Sequence, residues 1–196
     1  MNDQEALWAS EFGDEYLQRN IGKPVAEVKF WERALEKVGD TPTILELGAN
    51  VGNNIRALRR VRPESKIDGL EINHKAFNQL QLVADDAKEG SILEFIPGRT
   101  WDLVFTKGVL IHIHPNDLLR ACEVIYAASS RYIILSEYFH KTPTSVTYRG
   151  QKDALWKRDF GGYFIDHCAI SCIDYFFSWS RDRYPQDDLT TWVFEK

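Results

Sequence analysis

The sequence predicts an α/β fold built on a doubly wound, mostly parallel sheet, and three observations carry that expectation. A short apolar run, Thr43-Ile-Leu-Glu-Leu47, passes through Gly48-Ala-Asn-Val-Gly52 into a helix-spaced set, Ile55, Leu58 and Val61. A second short strand, Lys66–Glu71, ends in an acid. Strand and helix patterns then alternate as far as Arg131–Glu137, a near-continuous apolar strand of the kind buried in a parallel sheet.

The bulk properties narrow the class. A length of 196 residues with 44% hydrophobic and 27% charged content fits one globular domain over 1–196. The net charge of -5 argues against nucleic acid or an anionic membrane as partner. No apolar run approaches the ~20 residues of a spanning helix. The acidic start, Met1-Asn-Asp-Gln-Glu5, lacks the features of a signal peptide. Cys122, Cys168 and Cys172 cannot all pair, which fits a reducing cytoplasm. Cys168 and Cys172 with His167 lack a fourth ligand, so buried thiols are expected and no metal. Monomer and homodimer both stay open.

Residues 1–40 read as an N-terminal helical cap. Leu7, Trp8, Phe12, Tyr16 and Leu17 have helical spacing broken at Gly13. This aromatic segment either packs on the core or forms a lid over a ligand site. Pro24 begins a second helix, through Phe30, Trp31, Leu35 and Val38, that stops at Gly39-Asp40. After Glu71, Asn73 can cap a helix through Ala76, Phe77, Leu80 and Val83. The third strand is weakly patterned and falls within Asp85–Ile92; Trp101–Phe105 is a clear fourth. Asn116 is the expected cap of a helix from about Asp117 to Ala127. Residues 138–169 read as a substrate-side insertion, irregular, with one short helix near Asp153–Arg158. Ile170–Phe177 and Thr190–Glu195 then close the sheet as an antiparallel pair.

The chemistry-bearing residues gather at strand ends. The glycine turn lets backbone N–H groups approach a ligand at a helix start, but its G-x-x-x-G spacing departs from the dinucleotide fingerprint. Glu71 offers two acceptor oxygens, which suit a vicinal ribose diol. His112 and His114 follow the fourth strand, and histidine titrates near neutrality, as a general base must. Their spacing of two turns them apart in an extended segment, so one is expected to face the site. Tyr148, Arg149, Lys152, Trp156, Lys157 and Arg158 make a basic, aromatic cluster in an acidic protein. It suits recognition of a small anion, with a solvated charged face as the alternative.

In order along the chain, the glycine turn, Glu71 and the segment Trp101-Asp-Leu-Val-Phe-Thr-Lys-Gly-Val-Leu-Ile-His-Ile-His-Pro115 resemble the class I S-adenosylmethionine-dependent methyltransferases. Nearly the whole chain resembles the pseudaminic acid biosynthesis-associated methylases. That closer resemblance lies in Trp8…Glu11-Phe-Gly-Asp-Glu-Tyr16, Arg19-Asn20, Thr106–His112, Tyr148-Arg-Gly150, Lys157-Arg-Asp-Phe160 and Pro185-Gln-Asp-Asp188…Glu195-Lys196. It implies a Rossmann-like sheet of seven strands with an antiparallel C-terminal strand, and S-adenosyl-L-methionine as cofactor. Glu46, Gly48, Ala49, Asn50 and Gly52 match the loop around the methionine and ribose. Glu71 matches the ribose-binding acid, Ile72 lies beside the adenine, and Ser91 and Ile92 lie on the adenine side. Thr106 and Lys107 end the fourth strand beside the sulfonium. The resemblance also favours His112 as the base. Tyr16, Tyr138, Tyr148, Arg149, Lys157 and Arg158 are expected on the acceptor side.

The activity expected is methyl transfer to a small anionic metabolite, a sugar or nonulosonic acid derivative, with oxygen favoured and nitrogen next. The competing readings are a cofactor-binding regulatory or scaffold protein without turnover, an RNA methyltransferase and a nicotinamide oxidoreductase.

Overall fold

The computed structural model describes residues 2–14, 24–148 and 151–196. Its strands are β1 (Thr43–Leu47), β2 (Lys66–Glu71), β3 (Ala87–Glu89), β4 (Trp101–Lys107), β5 (Ser129–Glu137), β6 (Thr144–Tyr148), β7 (Gln151–Lys157), β8 (Ser171–Phe177) and β9 (Thr190–Glu195). Its helices are α1 (Asp3–Ala9), α2 (Pro24–Ala34), α3 (Asn53–Val61), α4 (His74–Leu80), α5 (Leu118–Ala128) and α6 (Phe160–His167).

Seven strands form one sheet in the order β3-β2-β1-β4-β5-β9-β8. Neighbours are parallel from β3 to β5, and β9 runs antiparallel to both β5 and β8. This is the Rossmann-like, mostly parallel sheet that the strand patterns predict. Apolar residues occupy both faces because helices cover both. Leu45, Leu47, Ile133 and Leu135 pack towards α5 and α6, while Ile44, Tyr132 and Ile134 pack towards α2 and α3. A one-residue slip would exchange the two sets, so the alternation fixes the register. On the α2 face Trp31 is fully buried, its ring 4.5 Å from that of Phe105.

The caps follow local chemistry. Asn2 and Glu5 form a capping box on α1, each side chain accepting the other's backbone N–H, at 2.9 and 2.6 Å. Asn73 caps α4 as predicted, accepting the Ala76 N–H at 2.9 Å. Asn116 does not cap α5: Asp117 holds that position, makes no side-chain cap, and instead accepts from Asn2 Nδ2 at 2.8 Å. Helix α2 ends at Ala34, although Leu35 and Val38 remain buried beyond it.

The insertion departs from its sequence reading. Residues Gln151–Lys157 form a strand, not the short helix expected near Asp153–Arg158, because the chain pairs with Thr144–Tyr148 in a separate hairpin. Leu155 and Trp156 are adjacent and both buried, so the strand is covered on both sides at these two positions. Helix α6 also lies in chain expected to be irregular. Asp159 caps it through the Gly162 N–H at 2.8 Å, and Gly161 admits the Trp192 ring, which an added Cβ would meet at 2.4 Å. Of the thiols expected to be buried, Cys122 is, Cys168 is half-buried and Cys172 is exposed. Among the described residues no helix is long and apolar enough to cross a membrane.

Candidate active site

The strand order reverses between β1 and β4, which is where open α/β sheets bind ligands. There the carboxyl ends of the strands open into a cleft of about 880 Å³, its mouth included.

The β1–α3 loop forms the first wall. Gly48 and Gly52 have φ of 78° and Asn50 has φ of 49°, a left-handed conformation that Asn tolerates better than most side chains. The loop is tied to the end of β2. Gly48 and Ala49 N–H groups both donate to the Leu70 carbonyl at 2.9 Å, and Asn50 N–H donates to Glu71 Oε2 at 2.7 Å. These three donors are therefore engaged within the protein. Space is tight at Gly48, where a Cβ would lie 2.6 Å from Val109 Cγ2.

Glu71 is buried and lines the cleft. Its other oxygen accepts the Asn73 N–H at 2.8 Å. Burial raises its pKa, opposed by the Asn73 and Asn50 N–H groups. A carboxylate with its two oxygens accepts more hydrogen bonds than these backbone donors supply. Ile72, Ser91 and Ile92 line the same side with Leu70 and Leu93.

The floor is Gly108, Val109, His112 and Ile113. His112 closes a short 3-10 turn, Leu110–His112, so the segment is not extended, and His114 lines the cleft as well. His114 Nδ1 also accepts the Asn116 N–H at 3.2 Å.

Helix α1 covers the opening. Asn2, Gln4, Glu5 and Trp8 line the cleft, and the Trp8 ring lies 4.1 Å from that of His112. The Ser91 hydroxyl donates to Glu5, and Asn73 Nδ2 donates to the Trp8 carbonyl at 3.3 Å and to Asp14 at 3.0 Å. The aromatic spacing of this segment is legible in the sequence, but its docking place is not.

Several expected residues sit behind the cleft. Glu46 is 1% exposed; Oε1 accepts from Asn54 at 2.6 Å and Oε2 has no hydrogen-bond partner among the described residues. Burial pushes its carboxyl up to about 8, with Asn54 and the Lys107 cation pulling it down. Lys107 Nζ turns to Glu27 at 2.7 Å and Gln186 at 2.9 Å. Thr106 donates to Glu137 at 3.1 Å. Ala49 and Gly52 shape the loop without lining the cleft.

The acceptor-side residues stand beyond His114, whose ring meets Trp156 edge-on at 5.3 Å. Lys157 Nζ lies 4.9 Å over the Tyr138 ring, and the Arg158 guanidinium lies 4.1 Å over Tyr163 of α6. None of Tyr138, Lys157 and Arg158 lines the cleft itself. Tyr16, Arg149 and the Tyr148 side chain lie outside what the structure describes.

No protein-family model matches the chain, and no curated protein matches it by sequence. Solved structures do. Magnesium protoporphyrin IX methyltransferase from Synechocystis PCC 6803, with bound SAH, matches 98% of this chain and 97% of its own, at TM-score 0.72 and 15% identity. A SAM-bound amino pentose methyltransferase from Micromonospora echinaspora matches 95% and 96%, at TM-score 0.67 and 10% identity. An N-methyltransferase from Bradyrhizobium japonicum matches 90% and 98%, at TM-score 0.68 and 11% identity. The chain has the fold that these methyltransferases share.

Proposed function

We propose that the chain is an S-adenosylmethionine-dependent methyltransferase acting on a small anionic acceptor, a sugar or nonulosonic acid derivative, with oxygen methylated before nitrogen. The observation that carries this reading is one apolar-walled cleft, at the point where the strand order reverses, lined by both the buried Glu71 carboxylate and His112.

The residues present suit the cofactor. Glu71 retains acceptor capacity for a ribose diol, flanked by Ile72 and Ile92 as apolar walls for a base. Glu46, expected at the methionine end of the cofactor, is buried behind the cleft and supports the β1–α3 loop through Asn54. When bound, S-adenosylmethionine supplies a methyl group activated on a sulfonium, leaving the protein to align and deprotonate the acceptor. His112 takes the hydroxyl or amine proton as the acceptor attacks. Lys157, which lies over the Tyr138 ring, suits the acceptor's negative charge. The amino pentose methyltransferase among the similar folds agrees with a sugar-like acceptor, and three unpaired cysteines agree with a cytoplasmic enzyme.

The test is transfer of labelled methyl from S-adenosylmethionine to candidate nonulosonic acids, nucleotide sugars and a host metabolite pool. Label in a small anionic product, lost in His112→Ala, supports the reading. Calorimetric binding of the cofactor with no label in any pool would make the protein a cofactor-binding module, and label in RNA would redirect the substrate.

A further inference from the structure

Glu137 ends β5 and is 0% exposed. Its Oε1 accepts the Thr106 hydroxyl and the N–H groups of Val109 and Leu110, each at 3.1 Å, and its Oε2 accepts the Ile111 N–H at 3.4 Å. The first N–H groups of any helix have no partner within it. Val109, the cap residue of the Leu110–His112 turn, makes no side-chain cap. Glu137 reaches in from another strand and supplies the acceptors that a local cap would supply.

The far end of the same turn is His112, and the residues on either side of it, Val109 and Ile113, also line the cleft. We infer that Glu137 is a positioning residue whose carboxylate fixes the Leu110–His112 turn and so sets where the His112 imidazole stands in the cleft. The inference rests on the reading of His112 as the proton acceptor.

Two further facts support it. All four partners donate to the two carboxyl oxygens, three of them from the backbone of the Val109–Ile111 stretch, so one side chain from β5 holds the whole start of the turn. Burial pushes the Glu137 carboxyl up to about 7, against the pull of those donors. The turn also leans on the glycine loop: the space beside Gly48 is filled by Val109. Displacing the turn would therefore move both the histidine and the packing against that loop.

The experiment compares Glu137→Ala and Glu137→Gln with the full-length protein by histidine-selective ¹⁵N spectra, the His112 signals being assigned by their loss in His112→Asn. In Glu137→Ala the His112 ring signals should shift and broaden. Methyl transfer should fall tenfold or more, by a larger factor than affinity for S-adenosylmethionine falls. Glu137→Gln, which keeps one acceptor oxygen, should be intermediate. His112 signals at their original positions in folded Glu137→Ala would overturn the inference. Should that variant not fold, Glu137→Gln decides by the same signals. If the cofactor binds no form of the protein, the methyltransferase reading fails, and the ring signals still judge the role of Glu137.

Discussion

Trp8 and His112 lie ring against ring, 4.1 Å between centroids with the planes at 52°, although one belongs to the first helix and the other follows β4. Aromatic pairs at this separation contribute about 0.5–1.5 kcal/mol beyond the area they bury. Trp8→Ala should therefore lower stability by at least about that amount and remove the ring-current shift that the indole imposes on the His112 ring protons. Urea denaturation and the proton shifts of the His112 ring check this, and unchanged ring-proton shifts would contradict the contact.

Glu71 braces the cleft and faces it at once. Glu71→Ala removes the acceptor for the Asn50 and Asn73 N–H groups as well as any bond to a ribose. Losing a hydrogen bond to a charged group costs about 1.5–3 kcal/mol, so cofactor affinity should fall about 10- to 100-fold. Calorimetry with S-adenosylhomocysteine reads this directly, and equal affinity for variant and parent would remove Glu71 from the cofactor site.

Two glycines with similar backbones separate strain from crowding. Gly48 has φ of 78° and a Cβ there would meet Val109 at 2.6 Å, whereas Gly108 has φ of 68° and open space around it. Gly108→Ala should cost about 1 kcal/mol from backbone strain alone. Gly48→Ala should cost more, by about 1–3 kcal/mol for forcing Val109 aside. Urea denaturation of the two variants measures the difference, and equal losses would contradict the close approach.

The pH dependence of stability should carry a mark of Glu46. Its carboxyl is raised from 4.5 to about 8 by burial, so the folded state holds the proton more tightly than the unfolded one. That contribution is fully present below about pH 4.5 and is lost as pH rises through about 8. Glu46→Gln cannot ionise, so its stability relative to the parent should grow across that window, by about 1.4 kcal/mol for each pH unit crossed. Denaturation at pH 5, 7 and 9 (about the span of the effect) would show this, and a constant difference would contradict it.

The parts of the fold legible in the sequence are those whose cause is local. Ile44 to Leu47 announce a buried strand, Gly48 and Gly52 a turn of positive φ, and Asn73 a helix start, because each depends on neighbours a few residues away. The hairpin of β6 and β7 is hidden because Asp153–Arg158 becomes a strand only by pairing with Thr144–Tyr148. The strand is also covered on both sides at Leu155 and Trp156, which interrupts the period of two at these positions. In the site, Glu71 and His112 can be found from their place after a strand. Glu5, Trp8 and Glu137 cannot, since each meets the cleft or its floor through contacts far along the chain. An extended segment would part the two histidines; the 3-10 turn instead brings both to the cleft.

Helix α1 has seven residues, too few to be stable alone in water. It holds together while Asn2 is bonded to Asp117, Glu5 to Ser91 and the Trp8 carbonyl to Asn73. Ser91 and Asn73 are at once partners of the helix and wall of the cleft. The contacts that keep α1 wound are therefore the same contacts that keep the site covered, and a change that frees one also weakens the other.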